Sequence, residues 1–456
     1  MRTILLIGAG KSTSHLLKFL LDKAESEQLH VIVGDIQLEN AQKLLQQRPN
    51  CTAIKLDIFE EEARKNAIKK ADLVISMLPA RFHIEVAKDC LFFGKNLVTA
   101  SYVSPEMEAL DAEVKAKGLI FLNEIGVDPG IDHMSAMKVI DAIRNKGGKM
   151  ILFESFTGGL VAPESDTNLW NYKFTWNPRN VVVAGQGGVA KFIQEGNYKY
   201  IPYHKLFRRT EFLEIDGYGK FEAYANRDSL KYRSAYGLDD VLTLYRGTMR
   251  RVGFSKAWNM FVQLGMTDDT FTLEDSENMT YREFVNAFLP YSPTDSVELK
   301  LRHYLKIDQD DIMWDKLVEL DLFDNSKKIG IKNATPAQAL QTILEDHWLL
   351  DETDKDMIVM YHKFGYTLQG KNYQIDASMV TLGQDKTYTA MSKTVGLPLG
   401  ISALKILNNE FKVSGVVIPI LKEIYEPVLS ALENYGIIFT EKEVPYNGYN
   451  PNNVAG

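Results

Sequence analysis

Cysteine is nearly missing from this chain: there are two in 456 residues, Cys51 and Cys90. A protein of this length with so few cannot rest on a disulfide framework, and a reducing cytoplasm is the simplest setting for it. No apolar run approaches the roughly 20 residues that span a bilayer. Repeats of solenoid or propeller period and low-complexity tracts are lacking as well. Met1 leads directly into Thr3-Ile4-Leu5-Leu6-Ile7, a strand-like run without the basic start and cleavage site of a signal peptide. Nor is there a surplus of positive charge: the formal net charge is −8, with acidic and basic residues interspersed. That argues against nucleic acid or an anionic membrane as the main partner. A local arginine cluster can still hold a small anion, and no bound metal is expected.

What is present fits a soluble protein of two or three domains, since 456 residues exceed what one compact core usually holds. The first third alternates short apolar runs with helical stripes. Ile4–Ile7, Val31–Val33, Ala53–Leu56, Leu73–Ser76, Asn96–Thr99 and Ile120–Leu122 read as strands. Ser14–Lys23, Leu38–Gln47, Glu60–Lys69, Phe82–Phe92 and Pro105–Lys117 read as the helices between them. Strands joined through single helices pair in parallel, so the pattern predicts an α/β fold with a doubly wound Rossmann sheet.

Gly8-Ala9-Gly10-Lys11-Ser12-Thr13 follows the first strand. Gly8 and Gly10 free the backbone of Cβ atoms where a pyrophosphate must approach amide groups at a helix start. Thr13 stands where the fingerprint prefers Gly or Ala, a departure that predicts slightly looser helix–strand packing. Gly10-Lys11-Ser12 imitates a nucleoside-triphosphate loop, but Leu5 occupies the position where that loop needs its first glycine. Asp35 ends the second strand. It can accept hydrogen bonds from ribose hydroxyls and repel a 2′-phosphate, which tilts the cofactor toward NAD(H); its bland alternative is a helix N-cap. Leu78 and Pro79, after the fourth strand, are expected beside the nicotinamide ribose. The cofactor set is thus Gly8, Gly10, Lys11, Ser12, Asp35, Leu78 and Pro79.

Several polar strings stand outside any simple core pattern. They include Ser101-Tyr102-Val103-Ser104-Pro105 and Asn123-Glu124-Ile125-Gly126-Val127-Asp128-Pro129-Gly130-Ile131-Asp132-His133. Farther on come Asn226-Arg227-Asp228-Ser229, Tyr245-Arg246-Gly247-Thr248 and Lys393-Thr394-Val395-Gly396-Leu397-Pro398. On these strings the chain resembles saccharopine dehydrogenase of the glutamate-forming type, also called saccharopine reductase, over nearly its whole length.

The resemblance implies NAD(P)H-linked reduction of the imine between glutamate and 2-aminoadipate 6-semialdehyde, and the reverse oxidation, in lysine metabolism. A related imine reductase forming carboxynorspermidine or carboxyspermidine is the alternative. Saccharopine carries three carboxylates, and Arg227 and Arg246 are chemically suited to hold them in bidentate geometry. The other reading of Arg227 is an ion pair with Asp228. Ser101, Tyr102 and Thr248 offer hydroxyls. Asp128, before Pro129, is expected at the carboxyl edge of the sheet, to pair with the substrate ammonium or relay protons; otherwise it caps the next helix. Tyr102 is expected to orient substrate, and His133 to be structural. Relatives of the fungal kind have cysteine where this chain has Thr157, so no thiol role carries over. Leu169-Trp170-Asn171 replaces a more flexible stretch.

Beyond Lys149 the runs Met150–Phe156, Phe212–Ile215, Phe221–Tyr224, Met357–Tyr361 and Gln374–Thr381 predict a mixed sheet. Tyr245–Gly265 reads as helix, Ser276–His347 as mainly helical, Thr394–Asn408 and Pro419–Tyr435 as helices, and Tyr446–Gly456 as a loose tail. With the resemblance this predicts a discontinuous dinucleotide domain over 1–125 and 392–456. A mixed α/β substrate and dimerisation domain covers 126–250 and 352–391, with a helical insertion over 251–351. A homodimer is an expected assembly, with small molecules as the ligands.

Overall fold

The computed structural model describes residues 1–45, 48–184, 186 and 188–455. The expected helix Leu38–Gln47 is present as Leu38–Leu45, and its last two residues lie outside the described ones.

Six strands open the chain: β1 (Arg2–Ile7), β2 (Leu29–Asp35), β3 (Cys51–Lys55), β4 (Leu73–Ser76), β5 (Asn96–Thr99) and β6 (Ile120–Leu122). The second half of the chain adds β7 (Lys149–Val161), β8 (Ala190–Gln194), β9 (Asn197–Ile201), β10 (Thr210–Ile215), β11 (Gly219–Ala225), β12 (Thr243–Arg251), β13 (Asp356–Leu368) and β14 (Lys371–Leu382). Last come β15 (Gly415–Val417), β16 (Thr440–Val444) and β17 (Val454–Ala455).

The first sheet runs β15-β6-β5-β4-β1-β2-β3, with every recorded pairing parallel. It is the expected doubly wound Rossmann sheet. Its strands carry near-continuous apolar runs because helices cover both faces. On one face Leu5, Ile7, Val74, Leu97 and Phe121 pack against Ile68, Val86, Cys90 and Val114 from the helices. Each such burial contributes roughly 1.5–3 kcal/mol. The expected helix Pro105–Lys117 is broken into Pro105–Glu108 and Asp111–Ala116. The amide of Leu110 bonds back to the Met107 carbonyl, three residues away, and that tightening ends the first helix.

The second sheet has the order β16-β14-β13-β7-β12-β11-β10-β17, with β8 beside β12 and β9 beside β8. It is mixed: β7 and β12 pair in parallel, β10, β11 and β12 antiparallel. The helical insertion follows β12 and includes Phe254–Leu264, Tyr281–Ala287, Val297–Leu305, Ile312–Val318 and Pro336–Trp348. Two sequence expectations fail here. Tyr245–Arg251 is strand, and helix begins only at Phe254. The tail is not loose either: Val454 and Ala455 pair with Glu211 and Thr210 of β10. Leu169-Trp170-Asn171 is also fixed. Trp170 is fully buried among Phe254, Phe261 and Trp348, and its indole N–H donates to the Lys316 carbonyl at 2.7 Å.

The chain divides into two compact units: Met1–Lys149 with Met379–Thr440, and Met150–Ser378 with Glu441–Gly456. The helix Ile131–Asn145 thus falls in the first unit and residues after 440 in the second, where the sequence bounds put each in the other. No helix of the described residues is long and apolar enough to cross a membrane.

Candidate functional site

In the first unit the candidate residues gather where parallel strands end, the edge at which ligands of such sheets bind. Gly8 leaves β1 with φ +102°, and a Cβ there would lie 3.0 Å from the Met77 carbonyl oxygen. Gly10 is different: a Cβ on it would meet nothing within 4 Å. The space over the loop is therefore open, as a pyrophosphate requires. Lys11–Thr13 then form a single 3-10 turn before the helix Ser14–Asp22, and no side chain caps that turn. This turn accommodates Thr13, whose hydroxyl reaches 3.5 Å from the Gly8 carbonyl while the residue is buried. Backbone amides at a helix start, open space and no competing carboxylate side chain on the turn fit a dinucleotide phosphate.

Asp35 does not cap the helix that follows. Its Oδ2 accepts from the Ala9 amide at 2.8 Å, and its Oδ1 from the Gln37 amide at 2.9 Å. The carboxylate thus stitches the end of β2 to the glycine loop. Leu78 and Pro79 leave β4 at the neighbouring strand end, half-buried and exposed respectively.

Loops after β5 and β6 carry the residues expected at substrate. Glu124, buried and with φ +56°, joins them. Its amide donates to the Ser101 carbonyl at 3.1 Å, and its Oε1 accepts from the Val103 amide at 2.9 Å. Its Oε2 lies 2.9 Å from Nε2 of His133, which is fully buried, so His133 takes the structural part expected of it. Asp128 sits in a loop closed by its own backbone. The Gly126 amide donates to the Pro129 carbonyl at 2.9 Å, and the Asp132 amide to the Val127 carbonyl at 3.1 Å. Gly130, not Asp128, stands at the N-cap of Ile131–Asn145. The Tyr102 hydroxyl is 3.4 Å from Asp128 Oδ1, and Tyr102 is 37% exposed. The structure therefore brings Ser101, Tyr102 and Asp128 together.

Sequence reasoning missed His83. It starts the helix His83–Phe93 and is buried. Its Nδ1 lies 2.8 Å from the Ser76 hydroxyl, and its Nε2 2.7 Å from Ser101 and 3.2 Å from Thr99. Burial holds its pKa down at about 4, so the ring is neutral, with one nitrogen donating and the other accepting. Nothing in Arg81-Phe82-His83-Ile84 signals this, because the three hydroxyls come from the ends of two other elements, β4 and β5.

In the second unit the candidates cluster on one face of the sheet. Arg246, Thr248 and Arg250 alternate along β12 and so point to the same side. Thr248 is opposite Tyr224 on β11 and Thr157 on β7. Arg246 is buried, its guanidinium over the Tyr232 ring at 4.8 Å. Arg227 follows β11 in a left-handed conformation, φ +44°, and is exposed. The Asn226 amide donates to the Arg246 carbonyl at 2.8 Å and the Arg246 amide to the Ser229 hydroxyl at 2.9 Å. Arg227 and Arg246 are thereby held at the same end of adjacent strands. The alternative pairing of Arg227 with Asp228 is not formed: Asp228 bonds Lys191 at 3.2 Å and the Leu230 amide at 2.9 Å. Among the described residues Arg227 has no ion-pair partner.

The chain is similar to known proteins along nearly its whole length. Residues 4–122 match the saccharopine dehydrogenase NADP binding domain, and residues 126–437 the saccharopine dehydrogenase C-terminal domain. The chain is 32% identical to saccharopine dehydrogenase [NADP(+), L-glutamate-forming] of Schizosaccharomyces pombe, across 97% of this chain and 99% of that protein. It is 31% identical to the protein of the same name from Saccharomyces cerevisiae, with the same coverage. The solved structure of apo saccharopine dehydrogenase (L-Glu forming) from Saccharomyces cerevisiae superposes with a TM-score of 0.88. Its identity is 30%, over 97% of this chain and 100% of that one.

Proposed function

The chain belongs to the saccharopine dehydrogenase family, NAD(P)-dependent oxidoreductases acting on CH–NH donors, and we propose that it interconverts saccharopine with glutamate and 2-aminoadipate 6-semialdehyde. One observation carries this reading. A chain matching the family along its whole length puts an open glycine loop, Ser101, Tyr102 and Asp128 at one edge of a parallel sheet.

The residues then take the following parts. Gly8, Gly10, Lys11 and Ser12 hold the pyrophosphate, Asp35 the adenosine ribose, and Leu78 and Pro79 border the nicotinamide ribose. A bound reduced nicotinamide supplies the hydride that the imine carbon accepts, while the imine nitrogen takes a proton. Asp128 is positioned to hold the substrate ammonium or to move protons as the imine forms and hydrolyses. Tyr102, Ser101 and Thr248 orient substrate through their hydroxyls. Arg227 and Arg246 take carboxylates in bidentate geometry. Thr157 can donate a hydrogen bond but supplies no thiol chemistry.

Two observations pull the cofactor choice in opposite directions. The Asp35 carboxylate favours NAD(H), because it repels a 2′-phosphate, whereas the relatives carry NADP(+) in their names. The two free cysteines, Cys51 and Cys90, support a reducing, cytoplasmic setting.

The deciding experiment titrates the purified protein with NADH and NADPH, then assays the preferred form with saccharopine and with carboxynorspermidine. Turnover of saccharopine is the expected result; turnover of carboxynorspermidine alone replaces this reading with the polyamine one. Asp128→Ala is expected to leave cofactor affinity unchanged and lower kcat at least a hundredfold. Unchanged turnover would remove Asp128 from the chemistry.

A further inference from the structure

Among the described residues, Arg250 is a buried cation without a counter-ion. It lies at the end of β12, on the face that also carries Arg246 and Thr248, and is 5% exposed. Its Nη1 donates to the Met249 carbonyl at 2.8 Å, while its Nε is buried with no hydrogen-bond partner among the described residues. Among the described residues no carboxylate lies within ion-pair distance of it. Glu222 stands opposite it in the register of β11, but both oxygens of Glu222 are engaged elsewhere. They accept from the amides of Gly253 at 2.8 Å and Ser255 at 2.5 Å.

Aromatic rings pack against the guanidinium instead: Tyr172 at 5.0 Å, Phe254 at 5.3 Å and Tyr224 at 5.9 Å to the ring centroids. Such faces stabilise a cation, yet they make no hydrogen bond to a donor lying in the guanidinium plane. An isolated buried charge is unfavourable unless it is paired and hydrogen-bonded. A second unmet group stands on the same face. Thr157, opposite Thr248 on β7, has a buried hydroxyl with no partner among the described residues. Two buried, unsatisfied donors on the face that carries Arg246 and Thr248 are what a bound anion would complete.

We propose that Arg250 holds a carboxylate of the substrate, as a third guanidinium about 13 Å along β12 from Arg246 and on the same face. This rests on the reading of the substrate given above. Saccharopine has three carboxylates, and the two arginines already assigned leave one without a cation. A planar carboxylate fits the edge of a guanidinium packed against aromatic rings. Burial among these rings keeps water from the fork, and the Thr157 hydroxyl offers a further hydrogen bond.

The test compares the wild-type enzyme with Arg250→Met and Arg250→Lys. The expected result for Arg250→Met is a KM for saccharopine raised at least tenfold, with a smaller change in kcat and the same affinity for reduced cofactor by fluorescence titration. Arg250→Lys keeps the charge but loses the fork, and a several-fold rise in KM is expected. It also serves where the methionine variant does not fold. Circular dichroism and the melting temperature establish folding. An unchanged KM in a folded variant would overturn the proposal and leave Arg250 as a packing cation.

A separate arm needs no turnover. Glutarate, a simple dicarboxylate, is titrated into each protein and its binding followed by tryptophan fluorescence. Binding by wild type, weakened at least tenfold in the variants, supports the site even if saccharopine is not turned over, an outcome that rejects only the substrate. Equal glutarate affinity in wild type and folded variants counts against Arg250 itself.

Discussion

The imidazole Nε2 of His83 lies 2.7 Å from the Ser101 hydroxyl, and the same ring reaches Ser76 at 2.8 Å. One neutral side chain thus ties the end of β4, which leads to Leu78 and Pro79, to the end of β5, which leads to Tyr102. His83 is a positioning residue in this arrangement, acting on Ser101. Replacing it by Leu strands buried hydroxyls and costs about 2 kcal/mol of stability, since each unmet buried group loses roughly 1–3 kcal/mol. We expect kcat/KM for saccharopine to fall about tenfold or more. His83→Gln, which retains one hydrogen bond, is expected to recover part of the loss. Steady-state kinetics decide it, and a leucine variant with wild-type kcat/KM would show the tie to be idle.

The same histidine makes stability depend on pH. Its folded pKa is held at about 4 by burial, against an ordinary value of 6.5. Above pH 6.5 the ring is neutral in both states, and its contribution is complete. Between 6.5 and 4 the unfolded chain binds a proton that the folded chain refuses, so stability falls as pH falls. The loss reaches about 3 kcal/mol near pH 4. His15, on the helix after the glycine loop, acts in the same direction. Its pKa is also held at about 4, first by burial and then by Lys393 and Lys18. Urea denaturation from pH 7 to 4.5 is expected to show a falling midpoint, less steep in His83→Gln. Parallel curves for the two proteins would remove His83 from the effect.

The strand–helix alternation of the first sheet was legible because its strands are short apolar runs and its helices carry clear stripes. The site at its edge was legible where glycine, proline and acid cluster in one string, as from Asn123 to His133. β12 was not. Tyr245-Arg246-Gly247-Thr248-Met249-Arg250 is buried on both faces, so its arginines do not mark solvent and the period-2 pattern is lost. That misreading matters for function. On a helix Arg246 and Thr248 would point about 200° apart, whereas on a strand they share a face. His83 was invisible for another reason. Its partners are 7, 16 and 18 residues away and become neighbours only when β4 pairs with β5.

Asp35 supplies a test of cofactor choice that does not depend on substrate. Its Oδ2 already bonds the Ala9 amide at 2.8 Å, which fixes the negative charge beside the loop that receives phosphate. A 2′-phosphate brought near this carboxylate meets like charge, while a ribose hydroxyl can donate to it. Asp35→Ser removes the charge and keeps an acceptor for the loop. The ratio of NADH to NADPH affinity, from fluorescence titration, is expected to move about tenfold or more toward NADPH, since one lost charge contact in a partly screened site is worth about 1.4 kcal/mol. An unmoved ratio would mean that the adenosine ribose binds away from Asp35.

Gly396 links the far end of the chain to the same loop. It lies in the helix Ala390–Leu407, and a Cβ on it would stand 2.6 Å from the backbone nitrogen of Leu16. One turn later, a Cβ on Gly400 would lie 2.5 Å from the Phe19 ring. The two glycines let this helix approach Ser14–Asp22, the helix that carries the glycine loop. Ser392 completes the contact, accepting from the Ser14 hydroxyl at 2.9 Å and lying 2.7 Å from Nδ1 of His15. Alanine at 400 meets a ring that can turn, but alanine at 396 meets backbone, which must move. Gly396→Ala is therefore expected to cost about 1–3 kcal/mol, as overpacking does, and Gly400→Ala less. Because the displaced helix begins directly after the Lys11–Thr13 turn, Gly396→Ala should also weaken NAD(P)H binding several-fold. Thermal melts and cofactor titration of both variants check this, and a Gly396→Ala protein with wild-type affinity would show that the loop holds its shape without the C-terminal helix.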